Sequence, residues 1–134
     1  MTTAFPTISA TVAALLGLLA VLLTARVIVL RVRFDVNAGD GGQAPLAQAI
    51  RAQANLLELA PLALLLLVFA EWSVAWRAVI LALGVVLLVA RLASAWGLSH
   101  SLEQGSARKA GAGLTSLVVV ACSLLVLYRM LVVL

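Results

Sequence analysis

Four long apolar runs dominate this 134-residue chain and leave it few ways to fold. They cover about Thr7–Leu30, Leu46–Trp72, Arg77–Leu98 and Ala110–Val133. Each exceeds the ~20 residues needed to cross ~30 Å of hydrocarbon as a helix. Inside lipid every backbone N–H and C=O must be paired within the segment, so runs of this kind become helices. Composition agrees: 65% of residues are hydrophobic and 10% are charged, too few to cover a soluble surface. The fold expected is all-α: one integral membrane four-helix bundle spanning residues 1–134 as a single domain. The first run has no Lys or Arg before it ("MTTAFPTISA") and ends in arginines. It therefore reads as a retained span rather than a cleaved signal peptide.

The links between the runs are of two kinds. "EWSVAW" is short and carries Trp72 and Trp76, as expected of a tight hairpin at an interfacial aromatic belt. "RVRFDVNAGDGGQAP" and "SHSLEQGSARKAG" are longer and polar. Four spans put both polar links on one side. That side holds Arg31, Arg33, Arg108 and Lys109, against Arg77 and Arg129 on the other. The positive-inside rule then places the 31–44 and 99–109 loops in the cytoplasm. Basic residues at helix ends, rather than clustered among aromatics, argue against a nucleic-acid partner. Cys122 is the single cysteine, so an intrachain disulfide is excluded. His100 has no neighbour at metal-ligand spacing, and no metal site is expected. "NAGDGG" lacks a P-loop lysine. Gly111 and Gly113 suit close helix packing. Arg26 is expected to snorkel toward the loop-side interface, and Pro61 to kink the second helix.

The second run contains the unusual stretch "RAQANLLELAP". At about 100° per residue, Arg51, Asn55 and Glu58 fall within a stripe of about 60°, roughly 10 Å long. Charged groups within a bilayer cost at least ~2.5–3.5 kcal/mol each, so this stripe is expected to avoid lipid. Arg51 and Glu58 are seven residues apart, beyond a simple i,i+4 pair. Each is expected to need a partner from another helix, another subunit or a ligand. Arg91 and Ser94 share a face of the third helix. Two readings stand side by side: a polar network that glues helices together, or an arginine-rich site for an anionic ligand.

The spacing Arg51, Asn55, Glu58, Pro61 within "GDGGQAPLAQAIRAQANLLELAPLALLLL" resembles the MAPEG family, membrane-associated proteins in eicosanoid and glutathione metabolism, most closely its bacterial members. Length, four spans, a polar first loop and "AR" late in the third run extend the resemblance along the chain. It implies a left-handed bundle assembled as a homotrimer, with glutathione bound between subunits near the cytoplasmic side. Glu58 would take the glutathione ammonium, Arg51 and Arg31 its carboxylate or peptide oxygens, and Asn55 the peptide portion. Arg91 and Ser94 match helix-3 binding positions, and Arg108 the catalytic arginine that stabilises the thiolate. Ser94 stands where relatives often carry histidine, and no tyrosine lies near the start of helix 4. Tyr128 is 20 residues beyond Arg108, about 30 Å along a helix. The expected function is a glutathione-dependent membrane transferase or peroxidase acting on lipophilic small molecules. The alternative is a non-catalytic protein of the same fold that binds a lipid or glutathione. A small transporter is disfavoured, because the first run has no Asp or Glu.

Overall fold

The computed structural model describes residues 5–73, 76–100 and 106–133, with the side chains of His100, residues 106–108 and Val133 left undescribed. Four helices account for nearly all of this: α1 (Thr7–Phe34), α2 (Ala44–Ser73), α3 (Arg77–His100) and α4 (Ser106–Val133). All four are long and apolar enough to span a membrane. Residues that face outward include Leu18, Leu22, Leu65, Phe69, Leu81, Val89, Leu117 and Leu124, large apolar side chains that only lipid or another protein surface can cover. Trp72 and Trp76 are exposed at the α2–α3 link.

All four helices extend past the apolar pattern, α1 and α4 by about a turn. α1 continues through Arg31–Phe34, because basic residues in a last turn oppose the negative end of the helix dipole. It stops at Asp35, which adopts a left-handed conformation (φ 52°, ψ 46°). The Val36 N–H donates to the Arg31 carbonyl (3.0 Å) and the Asp35 N–H to that of Val32 (3.4 Å), a Schellman-type ending. α4 likewise starts at Ser106 rather than Ala110. α2 runs unbroken through Pro61.

α2 and α3 form the central pair. α1 packs on both of them and so does α4, while α1 and α4 do not touch each other among the described residues. The buried stripe of α2 shows why packing is tight: Ala49, Ala52, Ala60, Ala63 and Ala70 alternate with Leu46, Leu56 and Leu67. Small residues let backbones approach, which is what drives helix association when lipid supplies no hydrophobic force. At Gly84 an added Cβ would stand 3.0 Å from a methyl of Val12, so α1 and α3 meet there with no room to spare.

The end of the bundle bearing the termini is closed by polar groups. α1 begins after Pro6 without a side-chain cap of its own. Glu71 of α2 supplies one. Its carboxylate accepts from the N–H of Ile8 (3.0 Å), the N–H of Ser9 (2.7 Å) and the Ser9 hydroxyl. A carboxylate on the exposed donors of a helix start satisfies those donors and the dipole together. Arg77 at the start of α3 donates to the Thr7 hydroxyl at 3.0 Å. Near the other end, Gln53 donates to Thr24 (2.8 Å), and Arg26 donates to the Ser99 carbonyl at the end of α3 (3.2 Å). Arg26 thus reaches the expected level, but to a backbone acceptor.

Candidate functional site

The polar stripe of α2 lies toward the long-loop end, where α1 ends, α2 begins, α3 ends and α4 begins. Its three members meet different surroundings. Arg51 and Glu58 have side chains 53% and 56% exposed in the single chain, with Arg51 Nη1 3.9 Å from Glu58 Oε1. Two helical turns cover about 10.5 Å, and two long side chains on one stripe close that distance. The expectation that each must look beyond its own helix is therefore corrected. At that distance and exposure the contact is weak, on the order of 0–1 kcal/mol. Both groups keep free hydrogen-bonding capacity on an outward face.

Asn55, between them in sequence, turns the other way. Arg91 Nη1 donates to the Asn55 carbonyl (3.1 Å) and to its Oδ1 (3.3 Å). Nη2 donates to the Gly111 carbonyl (3.1 Å) and the Ser94 hydroxyl (3.4 Å). Thr115 also donates to the Gly111 carbonyl, at 2.9 Å. Arg91 is 1% exposed and its Nε has no partner among the described residues. One guanidinium thus ties α2, α3 and α4 together through neutral acceptors alone. The helix-3 face predicted from Arg91 and Ser94 exists, and it points into the bundle.

Gly111 makes this junction possible. A Cβ there would fall 2.0 Å from Ser94 Oγ and 2.6 Å from the Ala90 carbonyl. Gly113, the other glycine of that pair, has nothing within 4 Å of such a Cβ. Of these two, Gly111 is the packing glycine.

Arg31, half-buried in the last turn of α1, donates to the Val36 carbonyl at 3.4 Å. Among the described residues no bond joins it to α2 or α3. The loop after it turns on left-handed glycines, Gly39 (φ 66°), Gly41 (φ 56°) and Gly42 (φ 73°). The Asp40 carboxylate accepts from the Gly42 N–H at 3.0 Å. Gly39 and Asp40 border a cleft of about 310 Å³ whose other walls are Ala47, Ile50 and Arg51. Its size is at the low end of ligand sites, roughly 300–1,000 Å³. Arg108 lies on the first turn of α4, and its side chain falls outside the described residues. Tyr128 lines a groove with Trp76 at the far end of α3 and α4, away from this cluster. Among the described residues no group of three His, Cys, Asp or Glu could hold a metal.

The sequence placed Ser94 beside Arg91 and Asn55 in one possible network with it, and the structure joins them; the other acceptors of Arg91 were not visible there. Both are backbone carbonyls, which no residue type announces. Thr24, a polar residue within an apolar stretch, was a usable signal for the α1–α2 bond that it makes with Gln53.

Comparison with known proteins bears on the same stretch. A MAPEG family model matches residues 9–128. Inner membrane protein YecN of Escherichia coli strain K12 is 37% identical over 95 residues, 71% of this chain and 72% of its own length. The YecN of Escherichia coli O6:H1 strain CFT073 gives the same figures.

Proposed function

The chain belongs to the MAPEG family, and from that premise we propose that it is a glutathione-dependent transferase or peroxidase of the inner membrane. The observation that carries this reading is the exposed pair of Arg51 and Glu58 on one face of α2. A membrane helix keeps two opposite charges half-open at real cost, and a zwitterionic peptide repays it. Glutathione has two carboxylates, an ammonium and a thiol. In this reading Glu58 takes the ammonium, Arg51 and Arg31 hold carboxylate or peptide oxygens, and Asn55 binds the peptide portion. Arg108, at the start of α4, is the catalytic arginine. A guanidinium beside a thiol favours the thiolate, which is the nucleophile. In the conjugation reaction a carbon–sulfur bond forms on the electrophile as its leaving group departs. Lipophilic substrates reach the site through the bilayer.

The exposed stripe also suits a homotrimer in which a second copy closes the site, and Arg31 would reach the ligand from that neighbour. The inner-membrane assignment follows the YecN relatives, which are inner membrane proteins. With the positive excess at the long-loop end, that end faces the cytoplasm.

The second reading, a non-catalytic binder of glutathione or lipid, is favoured by one arrangement. Ser94 is buried against Arg91, and Tyr128 stands at the opposite end. Neither offers a donor to a thiolate near Arg108. Purified protein in detergent separates the two. Turnover of 1-chloro-2,4-dinitrobenzene with glutathione, and thiolate absorbance near 240 nm, are expected of the enzyme. Glutathione binding without either signal supports the binder. If Arg51→Ala and Glu58→Gln leave glutathione affinity unchanged, the site is misplaced.

A further inference from the structure

The resemblance-based expectation gives Arg91 a place among the groups that touch the ligand. Its geometry assigns another task. A guanidinium has donors only, so the atom of Asn55 that faces it must be the amide oxygen. With Oδ1 and the backbone carbonyl both held by Nη1, the Nδ2 group is turned from the guanidinium, and it has no partner among the described residues. Asn55 is half-buried, in sequence between the exposed Arg51 and Glu58. Arg91 itself is 1% exposed and spends its remaining bonds on Ser94 and Gly111. It has no open face for a ligand.

We propose that Arg91 is a positioning residue: it locks the Asn55 amide oxygen-inward, so that Asn55 offers the site only N–H donors and selects a carbonyl or carboxylate oxygen there. The same guanidinium holds the Gly111 carbonyl, three residues beyond Arg108, and so fixes the start of α4 relative to Asn55. The donor set of α2 and the helix start that bears Arg108 share one anchor. This deepens the glutathione reading and rests on it for the identity of the ligand.

The test is a double-mutant cycle on glutathione affinity, measured calorimetrically on the detergent-solubilised full chain. Arg91→Lys is expected to weaken binding about tenfold, the scale of one charge-assisted hydrogen bond. In an Asn55→Ala background the same change is expected to cost about threefold at most, because only the hold on Gly111 and the start of α4 is left to lose. Loss of equal size in both backgrounds overturns the proposal, as does no loss in either. Asn55→Asp is the control if Arg91→Lys does not fold. It keeps oxygens for Arg91 but removes the donors. Weakened glutathione binding without loss of thermal stability is expected, since the new carboxylate can pair with the buried Arg91 guanidinium, and unchanged affinity refutes the idea.

One readout needs no ligand. The chain has two asparagines, Asn37 and Asn55, so selective ¹⁵N labelling gives two side-chain amide signals. The Asn55 signal is expected to shift in Arg91→Lys while Asn37 stays put; an unmoved Asn55 signal overturns the proposal. Should the wild type fail to bind glutathione, the transferase reading falls, and the amide signal still decides what Arg91 does.

Discussion

Two glutamates on α2, thirteen residues apart in sequence, meet opposite fates. Glu71, at the terminal end, accepts from two backbone N–H groups and the hydroxyl of Ser9. Glu58, midway along α2, lies 3.9 Å from Arg51, has no other polar partner among the described residues, and stays half-exposed. The first carboxylate is satisfied by the fold: it finishes α1 and binds it to α2. The second is carried by the fold without being satisfied by it. A polar group inside a membrane protein is evidence of function only after its internal partners have been counted. That count separates these two residues.

The sharpest way to break this contrast is at Glu71. Glu71→Ala removes the acceptor for the start of α1 and should cost on the order of 2–3 kcal/mol, the range of hydrogen bonds to a charged group. Thermal unfolding in detergent is expected to show it, with glutathione affinity unchanged. Equal stability of variant and wild type would remove the distinction between the two ends.

Gly111→Ala tests the closed part of the long-loop end. The added methyl would meet Ser94 Oγ and the Ala90 carbonyl. Overpacking of this kind costs about 1–3 kcal/mol. Since the carbonyl of Gly111 itself is an acceptor for Arg91, the proposed activity should fall with stability. Wild-type stability in this variant would mean that α3 and α4 are further apart than described.

Glu58→Gln is the counterpart of the first change. Its ion pair is exposed and long, so stability should move by less than about 1 kcal/mol, while glutathione affinity drops at least about tenfold. A large loss of stability would place Glu58 in the same class as Glu71. Gly113→Ala should have the smallest effect, a gain of up to about 1 kcal/mol from helix propensity, since open space surrounds the site. Destabilisation there would point to a neighbouring subunit against that face.

Much of this was legible in the residues. The four spans follow from run length, and the α3 face of Arg91 and Ser94 from their spacing. The α2 stripe followed from helical angle, but its internal division did not: Asn55 turns to Arg91, whereas Arg51 and Glu58 turn outward. That division depends on how close α3 lies to α2, which small residues on buried stripes control. The Glu71 clamp was hidden for a similar reason. A glutamate before a tryptophan at a helix end reads as an interfacial charge, and only antiparallel packing sets it on the N-terminus of α1.

The sequence by itself determined that this chain crosses a membrane four times and keeps ionisable groups on its second span, because hydrocarbon admits no other use of such long apolar runs. The tertiary structure decided which of those groups are consumed internally. A hydrogen bond is made or missed within a few tenths of an ångström, and that precision comes from helix packing around Ala, Gly and Ser, which no pattern along one helix contains.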